Sequence, residues 1–145
     1  MIIRPIQPSD RQQWEPLWQG YLKFYKTSLT AERTDLAWSR FFEADHVFQA
    51  TVAEVDGVVV GIAHAMMRPS TWELVGEMFL EDLFVAESAR GKGVARALIN
   101  YVKELGLAQG AESLYWQTQE GNSTARALYD SMATKNDYIQ YVVKL

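Results

Sequence analysis

The sequence predicts an α/β fold in which strands and helices alternate along a single domain of residues 1–145. Two observations carry this prediction. One is a pair of β-branched, apolar runs at residues 47–55 and 58–67, joined by an Asp-Gly hairpin dipeptide, which predicts two antiparallel strands. The other is a strand pattern, a glycine-rich turn and a helical pattern that follow one another in the second half of the chain.

The first half of the chain also predicts one strand and two helices. Residues 2–3 form a short first strand, and residues 8–10 supply a turn and an N-cap for a helix that continues to about Lys26. Thr30 caps a second helix, which we expect to end near Ala44. Aromatic residues recur at helical spacing in both helices, which indicates core packing.

The second half predicts three more strands and two more helices. In chain order they are a strand at about 73–85, a helix from Gly91 or Lys92 to about Ala108, a strand at 113–118, a helix that begins near Ser123 or Thr124, and a final strand at 138–144. The predicted order along the chain is therefore β, α, α, β, β, β, α, β, α, β.

Composition excludes several classes of function. The chain has no cysteine, which removes disulfides, thiolate metal sites and a cysteine nucleophile. Its two histidines have no metal-ligand spacing, so we expect no metal. The net charge of −4 disfavours nucleic acid as a partner. Because no apolar run is long enough for a membrane span and the first residues do not resemble a signal peptide, we expect a soluble, cytoplasmic protein.

The glycine-rich turn before the second-half helix has the composition of an anion site. Gly91 and Gly93 leave the backbone accessible, and the first N–H groups of the helix attract anions such as phosphate. Arg90, Lys92 and Arg96 add positive charge. The spacing matches neither a Walker loop nor a dinucleotide fingerprint. A glycine-containing turn without chemical function is the alternative interpretation.

The pattern Arg-x-x-Gly-x-Ala at Arg90, Gly93 and Ala95 resembles the pyrophosphate-binding signature of the GCN5-related N-acetyltransferases. The predicted order of elements is also that of this family, and the resemblance covers nearly the whole chain. It implies acetyl-CoA as co-substrate. It also implies a single mixed, mostly antiparallel central sheet of six to seven strands, flanked by about four helices, with splayed fourth and fifth strands that hold the pantetheine between them.

Two further stretches resemble the diamine and polyamine branch of the family, typified by spermidine/spermine N-acetyltransferase. They are the run Leu80–Val85 and Asn122, which is followed seven residues later by Tyr129. The chain departs from the family pattern in one place. The common Tyr-x-x-x-Gly-Phe ending is here Tyr129 to Ala133 without a glycine, which leaves the geometry after the last helix open.

The resemblance implies catalytic roles for Tyr129 and Glu81. Tyr129 matches the tyrosine that protonates the CoA thiolate, and Glu81 matches a carboxylate that accepts the proton of the amine, directly or through water. The alternatives are a tyrosine packed in the core and a carboxylate that only recognises a cationic substrate. A backbone N–H near Leu83 would polarise the acetyl carbonyl. Because strand side chains alternate, we expect Glu81 and Asp82 to point to opposite faces.

The expected acetyl-CoA site draws on the fourth strand, the glycine-rich loop and the start of the last helix. For Asn122, a turn-forming role is the alternative to a hydrogen bond with pantetheine. For the acceptor we expect contacts from Asp82, Tyr21 and Trp38, although aromatic residues of the first two helices are also explained by core or dimer packing. The expected cofactor-binding residues are Leu83, Phe84, Val85, Arg90, Gly91, Lys92, Gly93, Val94, Ala95, Arg96, Asn122, Thr124 and Ala125.

Charge indicates the class of acceptor. Glu73, Glu77, Glu81 and Asp82 follow one another along the segment that leads to the expected acetyl site, which favours a substrate with a second positive group. We therefore expect transfer of acetyl from acetyl-CoA to a small cationic amine such as a diamine, polyamine or lysine-like amino acid. Acetylation of protein lysines or N-termini and a non-catalytic, CoA-binding regulatory module are the alternatives. We also expect a homodimer, since the chain is rich in aromatic residues.

Overall fold

Five strands form one mixed sheet in the order β1-β2-β3-β4-β5, in a computed structural model that describes residues 1–145. Four α-helices flank the sheet. The strands are β1 (Ile2–Pro5), β2 (Phe48–Val55), β3 (Val58–Arg68), β4 (Glu77–Val85) and β5 (Ser113–Trp116), and the helices are α1 (Arg11–Phe24), α2 (Ala31–Arg40), α3 (Val94–Ala108) and α4 (Ser123–Tyr129). The predicted α/β fold is confirmed, with one strand fewer than the smallest number expected.

The hairpin between β2 and β3 has the predicted turn. Asp56 and Gly57 both have positive φ, 50° and 79°, which is the backbone of the tight turn that matches the twist of paired strands. Val55 pairs with Val58 across it. The caps of the second helix also agree with the sequence, because the Thr30 hydroxyl accepts a hydrogen bond from the Arg33 N–H at 3.3 Å.

Each face of the sheet carries its own apolar cluster. On one face, α3 packs through Leu98 and Val102 against the alanines of β2 and β3 and against Met78 of β4. On the other, α1 packs through Trp14 and Trp18 onto Val52 and Ile62, with Trp14 completely buried. Burial of large side chains of this kind stabilises a fold by about 1.5–3 kcal/mol each. The two layers hold the sheet rigidly between them.

A β-bulge interrupts β4 at Glu81. Pairing with β3 passes from Ala65↔Leu80 to His64↔Asp82, so Glu81 has no partner. The bulge reverses which residues of β4 face which side of the sheet. Leu80 and Phe84 would share a face in a regular strand, but Leu80 packs in the α3 cluster and Phe84 packs in the α1 cluster. Asp82 therefore points to the α1 side. The expectation that Glu81 and Asp82 serve opposite faces is wrong, since it assumed a regular strand.

Strands β4 and β5 are parallel and separate early. They pair from Glu77↔Ser113 to Leu80↔Trp116 and no further, although β4 continues to Val85. Beyond Leu80, one side of the β4 backbone therefore has no strand beside it. This is the splay between the fourth and fifth strands that the family resemblance implied.

The expected strand at 138–144 is absent from the sheet. This segment is rich in β-branched and aromatic residues, but its side chains lie in the open, with Tyr141 88% and Val143 82% exposed. A strand needs a neighbour for its backbone groups, and the segment pairs with none of the five strands. The bounds of several other elements also differ, by three or more residues at one end in some cases. The second helix ends at Arg40, the fourth strand begins at Glu77, and the third helix begins at Val94.

Candidate active site

A cleft of about 530 Å³ opens where β4 and β5 separate. Its walls are the second half of β4, the loop before α3, the first turn and last residues of α4, and the aromatic end of α1. The expected cofactor-binding residues that line it are Leu83, Phe84, Val85, Arg90, Gly91, Gly93, Val94, Ala95, Arg96, Asn122, Thr124 and Ala125, and Tyr129 and Tyr21 line it as well. Lys92 is the one cofactor-binding residue of the prediction that does not.

The loop at the floor of the cleft presents backbone rather than side chains. Gly91 and Gly93 have φ of 72° and 80°, and no heavy atom lies within 4 Å of where a Cβ would stand on either. Gly93 is the N-cap of α3, so the first N–H groups of that helix are free of intrahelical partners beside this open space. The helix dipole adds partial positive charge there. The loop is therefore suited to an anionic group such as a diphosphate.

The three cations of the loop differ in how they are held. The Arg90 Nε donates to the carbonyl oxygen of Val85 at 3.2 Å, with its guanidinium over the Phe84 ring. The Arg96 guanidinium donates to the Ser131 hydroxyl at 2.8 Å. Lys92 instead donates to the carbonyl oxygen of Ser88. Arg90 and Arg96 thus face the cleft, whereas Lys92 turns back onto the loop.

Asn122 caps α4 at the opposite wall of the cleft. Its side-chain oxygen accepts from the Ala125 N–H at 3.4 Å, and its amide nitrogen donates to the Thr118 hydroxyl at 3.1 Å. Both ends of the amide are thus engaged in the turn. The turn-forming interpretation accounts for these contacts, and Asn122 also lines the cleft.

Tyr129 is the last residue of α4 and lines the same cleft. Its ring stands edge-on to Trp116 at 5.4 Å between centroids. Burial, with a smaller contribution from Tyr25, raises the pKa of Tyr129 above its ordinary value. The phenol therefore stays protonated at neutral pH and is able to donate a proton.

The turn after α4 shows how the chain does without the usual glycine. Ala133, which stands at the position of the pattern's glycine, does not have the positive φ that favours glycine. The N–H groups of Met132 and Ala133 both donate to the Tyr129 carbonyl oxygen at 2.9 Å. The helix thus ends in a further tight turn, and Tyr129 keeps its place on the cleft wall.

The bulge brings two carboxylates, Glu81 and Asp82, together on β4 directly before the residues that line the cleft, and neither of the two lines it. Asp82 is half-buried, and Glu81 is open to solvent over part of its surface while neighbouring atoms partly desolvate its carboxyl group. Burial first, and then the negative charge of Asp82, raise the pKa of Glu81, while His64 has the opposite effect. Buried His64 lies between Asp82 and Trp14, with its Nδ1 2.9 Å from an Asp82 oxygen and its Nε2 3.1 Å from the indole nitrogen.

The aromatic residues expected at the acceptor site separate into two groups. Tyr21, Phe24 and Tyr25 line the cleft. Burial and then the charge of Asp82 raise the pKa of Tyr21 well above its usual range. Trp38 instead packs against Trp14 at 5.0 Å, inside the α1 cluster. Core packing accounts for Trp38. Of the two aromatic residues expected to contact the acceptor, Tyr21 and Trp38, only Tyr21 borders the cleft.

The four acidic residues do not form one cluster. Glu73 lies in the loop before β4, and Glu77 at the start of β4 accepts a hydrogen bond from the Ser113 hydroxyl at 3.2 Å. Glu73 has Glu77 and Glu112 as its charged neighbours. Glu81 and Asp82 lie at the bulge, four and five residues beyond Glu77 along β4, and form a separate pair next to the cleft-lining part of the strand. That pair is the negative charge beside the candidate acetyl site.

Sequence reasoning missed three residues of the cleft and its surroundings. Ala89 and Leu128 line the cleft, and His64 contacts Asp82 from outside it. No group of three or more His, Asp or Glu side chains is arranged to hold a metal ion. None of the helices is both long and apolar enough to span a membrane.

Comparison with known proteins defines the class to which this fold and cleft belong. The chain matches the Acetyltransferase (GNAT) family over residues 12–133. It is 31% identical over 143 residues to a D-amino-acid N-acetyltransferase of Saccharomyces cerevisiae, covering 97% of this chain and 89% of the yeast protein. The chain therefore belongs to the GNAT acetyltransferase family, and it is an N-acetyltransferase whose co-substrate is acetyl-CoA.

Two further relatives are aminoglycoside-modifying enzymes. An aminoglycoside N(6')-acetyltransferase type 1 of Salmonella enteritidis is 30% identical over 140 residues, covering 91% of this chain and 90% of the enzyme. The structure of aminoglycoside N-acetyltransferase AAC(6')-Iy with a bisubstrate analogue superposes with a TM-score of 0.85 at 21% identity, covering 99% and 97% of the two chains. That structural likeness concerns the fold. The resemblance to the polyamine branch is not confirmed by these relatives.

Proposed function

We propose that this N-acetyltransferase transfers the acetyl group of acetyl-CoA directly to the primary amine of a small cationic molecule. The observation that carries the proposal is the carboxylate pair of Glu81 and Asp82 on β4, which directly precedes the cleft-lining residues Leu83 to Val85 and lies beside Tyr21 of the cleft wall. The chain has no cysteine, so an acetyl-cysteine intermediate is excluded. The named relatives act on D-amino acids and aminoglycosides, which are small molecules that carry primary amines.

The cleft supplies a place for each part of acetyl-CoA. The glycines of the loop and the N-terminus of α3 suit the diphosphate, with Arg90 and Arg96 beside it. The unpaired side of β4 from Leu83 to Val85 suits the pantetheine arm, because amide groups there are open to hydrogen bonding. These residues together would direct the thioester toward Tyr129 and the carboxylate pair.

Glu81 is the proposed general base. An alkylammonium group must lose a proton before its nitrogen can attack a thioester, and Glu81 would accept that proton directly or through water. The raised pKa of Glu81 lies closer to neutral pH than that of an ordinary glutamate, which makes the carboxylate a stronger base. Asp82 and the Tyr21 hydroxyl would hold a second polar or cationic group of the acceptor.

Two other groups of the chain would complete the reaction. The amine nitrogen forms a bond to the acetyl carbon, and a backbone N–H at Leu83 would stabilise the negative charge on the carbonyl oxygen. The C–S bond then breaks, and Tyr129 would give its proton to the departing thiolate. The products are the N-acetylated amine and free CoA. An ammonium group loses two protons as it becomes an amide. The first passes through Glu81 to solvent, and the second, lost from the nitrogen after it has attacked, replaces the proton that Tyr129 gives to the thiolate.

An acceptor screen tests the function. Release of free CoA from acetyl-CoA is followed with diamines, polyamines, lysine analogues, aminoglycosides, D-amino acids, neutral amines and lysine-containing peptides, each at low and high salt. Cationic small molecules should have the highest kcat/KM and lose it as salt rises. A preference for neutral amines that is indifferent to salt contradicts the cationic acceptor.

The same screen separates the alternatives. Turnover with peptides only would indicate a protein acetyltransferase, and binding of acetyl-CoA without turnover on any amine would indicate a regulatory module. Glu81→Gln should abolish most turnover with cationic amines. Glu77→Gln is the matched control, since it removes a carboxylate from the other end of the same strand and should leave turnover near the wild-type value.

We also propose that the chain is a homodimer in which residues 138–145 of each copy pair with β5 of the other. Three observations support this. The segment is largely apolar but exposed, β5 is an edge strand, and the loop at residues 72–75 exposes Trp72 by 90% and Leu74 by 98%. The Leu74 N–H donates a hydrogen bond to the carboxylate of Glu112, next to β5, so this loop adjoins the free edge.

Light scattering tests the dimer. It should give twice the chain mass, and removal of residues 138–145 should give a monomer. A full-length chain that is monomeric at micromolar concentration contradicts the proposal.

A further inference from the structure

His64 is a buried polar residue in the middle of β3, outside the cleft itself. It is 2% exposed and lies among aromatic rings of α1 and the segment after α2. Its ring centroid is 5.6 Å from that of Trp18 and 4.6 Å from that of Phe41. An imidazole in such surroundings costs free energy unless both of its nitrogens have hydrogen-bond partners. Both nitrogens of His64 do.

The partners of His64 define its tautomer. The Trp14 indole nitrogen is a donor only, so the His64 Nε2, 3.1 Å away, must be an acceptor without a proton. The neutral ring then carries its proton on Nδ1, which donates to the Asp82 carboxylate at 2.9 Å. The indole thus determines which imidazole nitrogen faces Asp82. The order Trp14 to His64 to Asp82 is a directed chain of hydrogen bonds.

This chain of hydrogen bonds exists because of the bulge at Glu81. The bulge makes Asp82 the direct neighbour of His64 across the two strands and turns it to the α1 side. In an unbulged strand, Asp82 would share the face of Leu80, inside the apolar α3 cluster. The bulge and His64 thus act on the same carboxylate. The bulge sets the direction in which the Asp82 side chain points, and His64 is its hydrogen-bond partner.

We propose that His64 is a positioning residue of the acceptor site, which holds the Asp82 carboxylate beside Glu81 so that both can meet the amine of the acceptor. This inference rests on the proposed function for the identity of the acceptor site. One Asp82 oxygen is taken by His64, and the charge of Asp82 acts on both Tyr21 and Glu81. A carboxylate fixed in this way loses no rotational freedom when the acceptor binds, and this favours acceptor affinity.

Two substitutions of His64 separate positioning from packing. The amide nitrogen of asparagine falls near the place of Nδ1, and the amide group of glutamine falls near the place of Nε2. His64→Asn therefore keeps the contact with Asp82 and loses the contact with Trp14, and His64→Gln does the reverse. Each variant loses one buried hydrogen bond, so the pair is matched for stability, which thermal unfolding verifies.

Steady-state kinetics with the best acceptor give the first readout. His64→Gln should raise KM for the amine by about ten- to a hundredfold, the usual effect of losing a hydrogen bond to a charged group, and leave the affinity for acetyl-CoA unchanged. His64→Asn should stay within about threefold of the wild type. Equal kinetic losses in the two variants, or losses that follow thermal stability, would overturn the positioning role.

A second readout does not need turnover. In protein with nitrogen-15 histidine, the resting His64 ring should show a proton on Nδ1 and none on Nε2, and Asp82→Asn should move the Nδ1 signal while leaving that of His46 in place. A proton on Nε2 would overturn the inference. If no amine is acetylated, the proposed function fails, and this spectrum still decides whether His64 donates to Asp82.

Discussion

Gly93 and Gly57 have nearly the same backbone conformation, with φ of 80° and 79°, and open space where a Cβ would stand in each. Only Gly93 borders the cleft. A side chain at either position strains the backbone by a similar amount, of about 1 kcal/mol. The two glycines therefore separate the cost of strain from the cost of blocking a ligand.

Gly93→Glu should weaken acetyl-CoA binding by more than about tenfold, because it places volume and negative charge where the diphosphate is expected. Gly57→Glu is the control, with the same strain and the same added charge at the hairpin. Calorimetric titration of both folded variants with acetyl-CoA measures the effect. Equal affinities in the two variants would remove the loop from the cofactor site.

Tyr129→Phe should lower kcat by about ten- to a thousandfold and leave acetyl-CoA affinity nearly unchanged, since a proton donor acts in the transition state. Tyr115→Phe is a suitable control. Tyr115 is also partly buried, but it lies on β5, where its hydroxyl hydrogen-bonds Arg68 away from the cleft. Wild-type turnover in Tyr129→Phe would leave this tyrosine with a packing role beside Trp116.

The pH dependence of kcat/KM should report Glu81. Because burial and the charge of Asp82 raise the pKa of Glu81, the acid limb should lie above the ordinary value for a glutamate. The groups facing it are Asp82 on its own strand, His64 on β3 and Tyr21 on α1. Asp82→Asn removes the neighbouring negative charge, so the acid limb should move to lower pH. An upward shift in that variant would exclude Glu81 as the group that titrates.

The free energy of unfolding should decrease at acidic pH because Asp10 becomes protonated. Two Arg4 nitrogens bond its carboxylate at 2.7 and 2.9 Å, and the Gln7 N–H donates to it at 2.8 Å. The hydrogen bond with Arg4 above all holds the pKa of Asp10 below its usual value. Stabilisation by Asp10 is therefore complete above its pKa in the unfolded chain, and is lost as pH falls through its pKa in the folded chain.

Urea unfolding at a series of pH values tests this. Asp10→Asn should lower the free energy of unfolding at neutral pH by about 2–4 kcal/mol, because it leaves Arg4 with a partner missing. It should also flatten the acid limb of the stability profile. Asp45→Asn is the control, as Asp45 is exposed and forms no ion pair. A steep acid limb that survives Asp10→Asn would assign acid unfolding to other carboxylates.

The sequence predicts the parts of the site that follow from local pattern. The loop at Gly91 and Gly93, the cap at Asn122 and the place of Tyr129 each lie within a few residues of the element that positions them. The contact between Trp14 and His64 joins residues 50 apart in sequence, and neither residue alone indicates the other. Pairs of this kind depend on how α1 settles on the sheet.

The errors also have physical causes. A bulge is one extra residue in one strand, so regular alternation gave the wrong face for Asp82. The segment at 138–145 has the β-branched and aromatic composition of a strand but pairs with no strand of the sheet. Strand formation depends on a partner that the composition of one segment does not contain.

The short pairing of β5 also bears on how the enzyme moves. Only four residue pairs, ending at Leu80↔Trp116, join β5 to the rest of the sheet. The cleft wall that contains Asn122 and Tyr129 comes directly after β5 in the chain. A ligand bound between β4 and α4 would contact both walls of the cleft and so oppose the movement of one wall away from the other. We expect amides at residues 117–133 to exchange with deuterium quickly in the free protein and markedly more slowly with acetyl-CoA bound, whereas the buried hairpin of β2 and β3 should change little.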